Sequence, residues 1–407
     1  MKMWRTPLLL STSCLLGIIL YMSLVGQRVQ LREPDEVLPW TAALTTQAHN
    51  IERVYLSEPF LNALVAWDSE YYLSIAIAGF DDPAAPQLMR KNGESISGNY
   101  AFMPLYPWLM HLAASPLILM GINTIPAHVL AGMLISVTGA IAGSIGLYRM
   151  ISISSNQTAQ TALFYFLVFP TAFYLVTLYT EGLFVGLTFF ALLLINRHRF
   201  LPAMLLAAVA IWVRPVAIAL MLPMAIAWWE RYGSLRPTFS IRLSRNSLFH
   251  GILLLLPLAS FLLWRALFGE AHAAAQEVLG RSLLNIPDSV RVWGAAFLRL
   301  AGFFPAPPET RIYYLIEFSL IIIAILCCIQ ALRVNRLIAV YSLGALALTL
   351  LSGTAVSQIR YLLPIPAIYL SLALWGRGSL FDRAWSLISI LLLALLALLF
   401  SSNFWVA

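Results

Sequence analysis

Long apolar segments recur along nearly the whole chain, and they restrict its possible folds more than any other feature. The first, residues 7–26, is apolar over about 20 positions, enough to cross the roughly 30 Å hydrocarbon core of a bilayer. Of the 407 residues, 60% are hydrophobic and 11% are charged, against roughly 45–50% and 25% in soluble domains. The sequence therefore predicts an all-α polytopic membrane protein that forms a single domain over residues 1–407.

Short breaks separate the apolar segments, and many of these breaks carry arginine. The segments lie near residues 7–26, 104–121, 126–148, 160–177, 182–196, 200–213, 215–229, 248–268, 313–332, 337–351, 361–376 and 385–403. Basic loops normally stay in the cytoplasm. All the breaks that carry basic residues can lie in the cytoplasm only if one apolar segment does not cross the membrane. Three prolines make 104–121 the best candidate for that segment. We expect a juxtamembrane or half-inserted helix there and about 11 transmembrane helices.

Residues 27–101 form the longest polar stretch, and acidic residues dominate it. Ten Asp and Glu residues stand against five Lys and Arg residues. Such a loop is expected outside, which places the N-terminus of the chain in the cytoplasm. Amphipathic helical pieces at 41–56 and 59–79 are expected to lie along the membrane surface as juxtamembrane helices. The same topology predicts a second large external loop at 269–312.

The net charge and the His and Cys content argue against two kinds of site. The charge of +7 arises largely from basic residues at the breaks between apolar segments, so it does not indicate nucleic-acid binding. The six histidines and three cysteines show no metal-ligand spacing. Neither nucleic acid nor a zinc-type metal is therefore expected.

Asp68 is the first candidate for chemistry, because it follows Trp67 at the start of WDSEYYLSIA in the acidic loop. A carboxylate beside an aromatic ring at a membrane surface is partly desolvated, which raises its basicity and suits a general base. Asp is also a favoured helix N-cap, and Ser69 and Tyr72 follow it at helical spacing. The local sequence leaves both roles open. Glu70 is expected to face water or a partner within the loop.

Glu181 and Arg214 interrupt the apolar middle of the chain. Glu181 lies in LYTEGLF beside Tyr179, and its predicted position on the same face as Asp68 favours an active-site role over an ordinary interface residue. Arg214, in IWVRPVA, would sit between two short helices, with Pro215 fixing a turn. Insertion of arginine at a helix centre costs roughly 2.5–3.5 kcal/mol, so such a residue is a functional candidate. Its guanidinium suits phosphate recognition, whereas the alternative is a side chain that snorkels to the interface.

Arg360 and Tyr361, in SQIRYLLPIP, begin an apolar segment on the predicted external side. A contact of Arg360 with a phosphate or a lipid headgroup is favoured over a simple interface anchor. Tyr361 is then a neighbouring hydroxyl donor or a residue of the aromatic belt. The sequence assigns no roles within the polar 269–312 loop beyond that of capping a cavity.

Five motifs occur in the order expected of the PIG-V type of mannosyltransferase, and the chain resembles that family from about residue 66 to 375. They are WDSEYYLSIAIAGF, NYAFMPLYP, FPTAFYLVTLYTEGLF, WVRPVAI and QIRYLLPIPAIYLSLAL. The family's patterns include WDxxxFxxIAxxGY, AFFPLYP, YSESLF and a late RY. Here Met103 replaces an aromatic residue, and Thr180 and Gly182 replace the serines of YSES. These departures leave the acceptor open, and the chain is expected to be a prokaryotic relative.

The resemblance implies the GT-C glycosyltransferase fold, with a catalytic Asp in the first external loop and a polyprenyl-phosphate sugar as donor. It implies that Asp68 is the catalytic base and Glu181 an active-site carboxylate. It also implies that Arg360, Tyr361 and Arg214 lie near the donor phosphate. The aromatic residues of the same motifs are expected in the substrate pocket: Trp67, Tyr72, Tyr106 and Tyr179.

The reaction implied is an inverting transfer of mannose from polyprenyl phosphate to a lipid-linked or glycan acceptor. It would occur on the extracytoplasmic face of a bacterial cell membrane, or on the lumenal face of the endoplasmic reticulum in a eukaryote. Arginine can stabilise the phosphate leaving group, so no divalent metal or other cofactor is required. Membrane lipids surround the protein, and a small partner subunit is compatible with this interpretation.

Three alternatives stay open at this stage. The nearest is a GT-C transferase of another polyprenyl-phosphate sugar. A non-catalytic lipid-binding subunit and a polytopic transporter belong to other classes. The sequence shows no internal repeat, and its polar groups gather at one predicted face rather than at the midplane, which argues against the transporter.

Overall fold

In the computed structural model the chain is predominantly α-helical. The structure describes residues 2–29, 31, 34–45, 53–56, 59–234, 240, 241, 244–282 and 284–406. The α-helices are labelled in chain order as α1 (Lys2–Arg28), α2 (Thr41–Leu44), α3 (Pro59–Asn62), α4 (Ser69–Ala78), α5 (Leu105–Leu119), α6 (Thr124–Ile151), α7 (Asn156–Leu167), α8 (Glu181–Asn196), α9 (Phe200–Ile211), α10 (Met221–Tyr232), α11 (Arg245–Leu253), α12 (Leu256–Leu279), α13 (Ile286–Leu300), α14 (Pro308–Leu332), α15 (Arg336–Leu350), α16 (Pro366–Trp375) and α17 (Ser379–Ser401). The expected predominance of helix is confirmed.

Short 3-10 helices and two small hairpins connect these helices. The 3-10 helices are Val54–Leu56, Gly98–Ala101, Ala172–Leu175, Pro215–Leu220 and Ile359–Leu362. The hairpins are antiparallel and pair β1 (Gln87–Met89) with β2 (Ser95–Ser97), and β3 (Gly233–Ser234) with β4 (Ser240–Ile241). Neither hairpin extends into a larger sheet, so helix packing determines the architecture.

Five helical segments within the described residues are long and apolar enough to cross a membrane. They are Arg5–Arg28, Thr124–Ile151, Arg245–Val278, Pro308–Leu332 and Ser379–Ser401. Helices α5, α8, α9, α15 and α16 are apolar but shorter. The longest of them, α8, has 16 residues and reaches about 24 Å at 1.5 Å per residue, less than the roughly 30 Å of hydrocarbon. These helices indicate an integral membrane protein, whereas the count of 11 spans and the topology stay predictions.

Prolines interrupt apolar segments that look continuous in the sequence. The segment at 160–177 is α-helical only to Leu167, and Pro170 follows. The segment at 361–376 becomes α-helical only from Pro366. Proline has no amide hydrogen and its ring clashes with the preceding helical turn, so the chain leaves the helix at these places. The irregular backbone that results leads into Glu181 of LYTEGLF in the first case and carries QIRY in the second.

The stretch at 59–79 is not one surface helix. It forms α3 and α4 with a turn between them, and most of α4 is buried. The ring of Tyr72 in α4 packs edge-on against that of Tyr106 in α5, with centroids 5.3 Å apart. The helix of the AFMPLYP motif therefore covers α4, and the position of α4 along the membrane surface stays a prediction. Residues 46–52 of the other predicted piece, 41–56, lie outside the described residues.

The segment at 269–312 is largely helical rather than a loop. Helix α12 continues through AHAAAQEVL, a run rich in strong helix formers. It ends at Gly280, whose φ of 66° is the left-handed conformation common at helix C-termini. His272 Nδ1 lies 2.9 Å from the carbonyl oxygen of Tyr100, and Gln276 donates to the next carbonyl at 2.9 Å. Helix α12 therefore covers the end of the first polar stretch.

Glycines allow α6 and α8 to pack at close range. Gly139 and Gly143 of α6 form a GxxxG motif and face Gly182 and Gly186 of α8. A Cβ atom on Gly139 would lie 2.6 Å from the carbonyl oxygen of Gly182, so a side chain there would push the helices apart. Small residues permit this approach. The contact fixes the N-terminus of α8, where Glu181 is the first residue.

Candidate active site

A buried stretch between α7 and α8 connects the parts of the candidate site. All residues from 165 to 182 are buried. The carbonyl of Leu178 accepts a hydrogen bond from Ser69 Oγ at 3.1 Å, and its amide donates to the carbonyl of Leu64 at 3.2 Å. The turn that carries Asp68 is therefore attached to the stretch that leads into Glu181.

Backbone contacts, and not a side-chain cap, hold Asp68 at the N-terminus of α4. Its amide donates to the hydroxyl of Tyr179 at 3.2 Å, and this hydroxyl donates to the carbonyl of Ala66 at 3.0 Å. Asp68 occupies the N-cap position, yet its carboxylate makes no capping hydrogen bond. Its Oδ2 accepts instead from Arg360 Nη1 at 2.7 Å. The N-cap alternative thus describes where Asp68 lies but not what its carboxylate binds.

Trp67 gives the turn before Asp68 an uncommon backbone conformation. Its φ is 54°, in the left-handed region that bulky residues rarely adopt. The indole Nε1 donates to the carbonyl of Phe404 at 3.2 Å. Its ring packs edge-on against Trp40 and Trp405, with centroids 6.1 and 5.0 Å away. These contacts hold the conformation that directs Asp68 into the site.

Glu181 and Arg214 form a buried ion pair. Glu181 Oε1 accepts from Arg214 Nη2, and Arg214 Nε donates to Thr180 Oγ1 at 2.9 Å. Thr180 replaces a serine of the family pattern and keeps the hydroxyl that this contact needs. Arg214 immediately precedes Pro215, where a 3-10 helix begins, as the sequence predicts. Because the side chain of Glu181 is fully buried, its charge needs such a partner.

Arg360 lies at the centre of the site. Its Nη1 contacts Asp68, its Nε lies 3.3 Å from Glu181 Oε1, and its Nη2 donates to the hydroxyl of Tyr361 at 2.9 Å. Its guanidinium carbon is 5.1 Å from the ring centroid of Tyr179, a cation–π contact that helps to replace lost hydration. We refer to Asp68, Glu181, Arg214 and Arg360 as the carboxylate–arginine cluster.

Glu317, a residue of α14 that the sequence analysis did not single out, positions the turn that carries Arg360. Its Oε1 accepts from the hydroxyl of Tyr313 at 2.7 Å and from the amide of Gln358 at 3.2 Å. Its Oε2 accepts from the amide of Ile359 at 3.0 Å. The side chain is completely buried. The signal was available, because an acidic residue inside an apolar segment is a functional candidate by default.

A cavity of about 640 Å³ opens beside the carboxylate–arginine cluster. Its charged lining residues comprise three acidic and six basic side chains, namely Asp68, Glu277, Asp288, Lys91, Arg214, Arg265, Arg281, Arg291 and Arg360. Such an excess of positive charge favours an anionic ligand. The side chain of Asp68 is 20% exposed and that of Glu181 is fully buried. Of the two cluster carboxylates, Asp68 is the one that a ligand can reach.

Three buried polar atoms of the cluster have no hydrogen-bond partner among the described residues. They are Arg214 Nη1, Arg360 Nε and Glu181 Oε2. Buried polar atoms are nearly always paired, so each exception requires an explanation. Arg214 lines the cavity, and its Nη1 is a hydrogen-bond donor that the described residues leave unpaired.

Tyr361 lies among three arginines. Its hydroxyl accepts from Arg360 and lies 3.4 Å from Arg281 Nη1, while the guanidinium carbon of Arg214 is 4.9 Å from its ring centroid. Burial alone would raise the pKa of Tyr361. The nearby charges of Arg360, Arg281 and Arg214 outweigh it and lower the pKa to about 8. This position therefore favours negative charge.

The four aromatic residues expected in the substrate pocket divide into two groups. Tyr72 lines the cavity, as does Met103, which stands where the family pattern has an aromatic residue. Trp67, Tyr106 and Tyr179 are buried and do not line it. Tyr106 binds the backbone of α6 through its hydroxyl at 3.0 Å. These three residues support the cavity wall from behind.

The other acidic residues near the site are engaged in ion pairs. Asp288 Oδ1 lies 2.7 Å from Arg291, and Glu277 Oε2 lies 3.8 Å from Arg90. Glu70 is buried and lies 2.9 Å from Arg53, so it has the loop partner and does not face water. No group of three His, Cys, Asp or Glu side chains that could hold a metal occurs in the part of the chain that the structure describes.

Comparison with known proteins gives a family and several similar solved structures. The family model for mannosyltransferase (PIG-V) matches residues 18–269, more than half of the chain. No curated protein matches the sequence. Three of the similar solved structures are of the Archaeoglobus fulgidus oligosaccharyltransferase.

One of these structures is a complex with Zn and sulfate, at 15% identity and a TM-score of 0.38, covering 95% of this chain and 53% of that one. Another is tethered to an acceptor peptide. It has 12% identity and a TM-score of 0.38, and the match covers 96% of this chain and 55% of that one. The third is AglB with an inhibitory peptide and a dolichol-phosphate. It has 13% identity and a TM-score of 0.39, and the match covers 96% of this chain and 56% of that one. The chain thus spans little more than half the length of these structures.

Proposed function

Since the chain belongs to the mannosyltransferase (PIG-V) family, we propose that this membrane glycosyltransferase transfers mannose with inversion from a polyprenyl-phosphate donor. The acceptor is a hydroxyl group of a lipid-linked or glycan substrate. The acid-rich stretch at 27–101 supports an active site on the extracytoplasmic face. A GT-C transferase of another polyprenyl-phosphate sugar would use the same site.

One observation carries the proposal: a reachable carboxylate and an excess of arginine share one cavity. Asp68 is the cluster carboxylate that lines the cavity, with Arg214 and Arg360 beside it. A sugar linked to a phosphate presents both groups that such a site would recognise. The phosphate requires cationic donors, and the attacking hydroxyl requires a base within hydrogen-bond reach.

In the proposed reaction Asp68 accepts the proton of the acceptor hydroxyl. The acceptor oxygen forms a bond to the anomeric carbon from the face opposite the phosphate, which inverts the configuration there. The bond between that carbon and the phosphate oxygen breaks, and polyprenyl phosphate leaves with the electron pair. Arg214 and Arg360 stabilise the charge that develops on the leaving oxygen.

Glu181 has a different role in this scheme from Asp68. Its side chain is fully buried and lies against both Arg214 and Arg360, so it does not reach the substrate. A buried carboxylate that balances two arginines fixes their position before the donor binds, and such preorganisation is what stabilises developing charge. Glu181 is therefore proposed as a positioning residue for the two guanidinium groups.

The experiment that tests the function offers purified protein a panel of polyprenyl-phosphate sugars together with membrane lipid extract. Products are identified by mass spectrometry. The Asp68→Asn variant should lose about 10²- to 10⁴-fold in turnover, the usual contribution of a general base, and should still bind the donor. A non-catalytic subunit or a transporter would be indifferent to this change. Failure with every polyprenyl donor, alongside success with a nucleotide sugar, would overturn the donor assignment.

Asp81→Asn is the matched control. Asp81 is exposed in the same polar stretch, accepts a hydrogen bond from Tyr100 at 2.8 Å and is not one of the residues that line the cavity. The control should keep wild-type turnover. Equal turnover of the Asp68→Asn variant and the wild type would remove the assignment of Asp68 as base.

A further inference from the structure

We propose that Arg281 is the principal binding residue for the donor phosphate, an inference that rests on the proposed function. The two arginines of the carboxylate–arginine cluster already have anionic partners. Arg360 pairs with Asp68, and Arg214 pairs with Glu181. Arg281 lines the same cavity, and among the described residues it forms no ion pair with a carboxylate.

The backbone holds Arg281 at the wall of the cavity. It follows Gly280, where the chain leaves α12, and its amide donates to the carbonyl of Gln276 at 3.0 Å. The amide of the next residue, Ser282, donates to the carbonyl of Ser352 at 2.9 Å. The amide of Asn285 donates a second hydrogen bond, to the carbonyl of Leu351 at 2.7 Å. Arg281 is thus presented from a fastened turn rather than from a free loop.

The hydroxyl of Tyr361 shows where an anion would be held. This oxygen accepts from Arg360 Nη2 at 2.9 Å and lies 3.4 Å from Arg281 Nη1. A phosphate oxygen at a similar position would receive hydrogen bonds from both guanidinium groups. Phosphate has the charge and the number of acceptors to satisfy two arginines, which a neutral phenol does not.

The two kinds of arginine then have separate tasks. Arg281 supplies positive charge that no carboxylate among the described residues balances, so a phosphate gains most of its electrostatic attraction there. Arg360 is shared between Asp68, Glu181 and the incoming phosphate, which aligns the leaving group with the base. Loss of Arg281 should therefore weaken donor binding and leave the chemical step largely intact, because Asp68 and Arg360 remain.

The test compares Arg281→Gln and Arg281→Lys with wild-type protein in steady-state transfer. Arg281→Gln should raise the donor KM by about 10- to 100-fold, the range for loss of a hydrogen bond to a charged group. Its kcat should stay within about threefold of wild type, and Arg281→Lys should recover part of the loss because it keeps the charge. The control is Arg311→Gln, an exposed arginine outside the cavity lining, which should keep the wild-type donor KM.

Direct binding separates failure of this inference from failure of the proposed function. The thermal stabilisation produced by geranyl phosphate and by inorganic phosphate is measured for each variant in detergent. Geranyl phosphate should stabilise the wild-type protein and the Arg311→Gln control at concentrations where inorganic phosphate does not, and it should lose this effect with Arg281→Gln. Stabilisation that persists in a folded Arg281→Gln variant, or a donor KM unchanged by it, overturns the inference.

Two further outcomes are decisive. Equal stabilisation by inorganic phosphate and geranyl phosphate would overturn the assignment to a lipid donor. A wild-type protein that binds geranyl phosphate through Arg281 but transfers no sugar would overturn the proposed function while supporting the phosphate site.

Discussion

Replacement of Glu317 by glutamine tests whether this residue positions Arg360. The carboxylate receives three hydrogen bonds, from the hydroxyl of Tyr313 and from the amides of Gln358 and Ile359. A glutamine whose amide oxygen occupies the Oε1 position keeps the first two. Its NH₂ group then faces the amide of Ile359, so one donor meets another and that hydrogen bond is lost.

The expected loss of stability follows from this count. A hydrogen bond to a charged group contributes about 1.5–3 kcal/mol, so Glu317→Gln should lower the free energy of unfolding by about 2 kcal/mol. Ser357, at the start of the turn, has a φ of 64°, and the surrounding contacts must hold that uncommon conformation. With the turn loosened, Arg360 moves relative to Asp68. A misplacement of about 1 Å costs on the order of 10²-fold in rate, so kcat should fall by about that factor.

The assay measures kcat and both KM values well below the unfolding midpoint, together with thermal unfolding in detergent. Glu309→Gln is the control, because Glu309 lies in the first turn of the same helix and is exposed. A residue with a purely structural role would lower the unfolding midpoint and leave kcat unchanged at low temperature. A Glu317→Gln variant that matches Glu309→Gln in both kcat and midpoint would refute the reasoning.

Two further predictions concern packing and pH. Gly182→Ala should destabilise the protein by about 1–3 kcal/mol, as overpacking does, because a Cβ atom there would clash with the carbonyl of Ser136. The control is Gly17→Ala, whose added Cβ atom would have no neighbour within 4 Å. It should show no decrease in the thermal unfolding midpoint. The pKa of Tyr361 lies at about 8, so its hydroxyl is neutral below pH 8 and anionic above it. The anion competes with phosphate for Arg281, and the donor KM should therefore rise above pH 8; a Tyr361→Phe variant with the same alkaline rise would contradict this explanation.

The amino-acid sequence alone determines much of the candidate site. The apolar segments require a membrane, and the motifs identify Asp68, Glu181, Arg214 and Arg360 without any structure. For Glu181 and Arg214 this works because an ionisable residue inside an apolar segment is costly to insert and is therefore conspicuous. The predicted topology then places these residues on one external face, and the structure brings the four into one cluster.

Local sequence patterns predict the structure less accurately where the backbone leaves regular helix. The 59–79 stretch has helical spacing, yet it forms two helices, and most of α4 is buried against other helices. Hydrophobic periodicity reports which face of a helix is apolar, but it does not reveal whether another helix covers the opposite face. The helix that covers α4 is α5, which lies outside the 59–79 stretch in the sequence.

Only the tertiary structure decided how the charges are paired. Asp68 and Arg360 are separated by 292 positions in the sequence, yet Asp68 Oδ2 lies 2.7 Å from Arg360 Nη1 in the fold. Glu317 acquires its role because α14 passes behind the turn before Arg360. Arg281 is distinguished because it contacts the hydroxyl of Tyr361, which Arg360 also contacts, and forms no ion pair among the described residues. A sequence determines which residues carry charge and which segments avoid water, since both are properties of single side chains or short windows. The balance of charge in a buried site depends on distances between remote segments, and those distances exist only once the helices have packed.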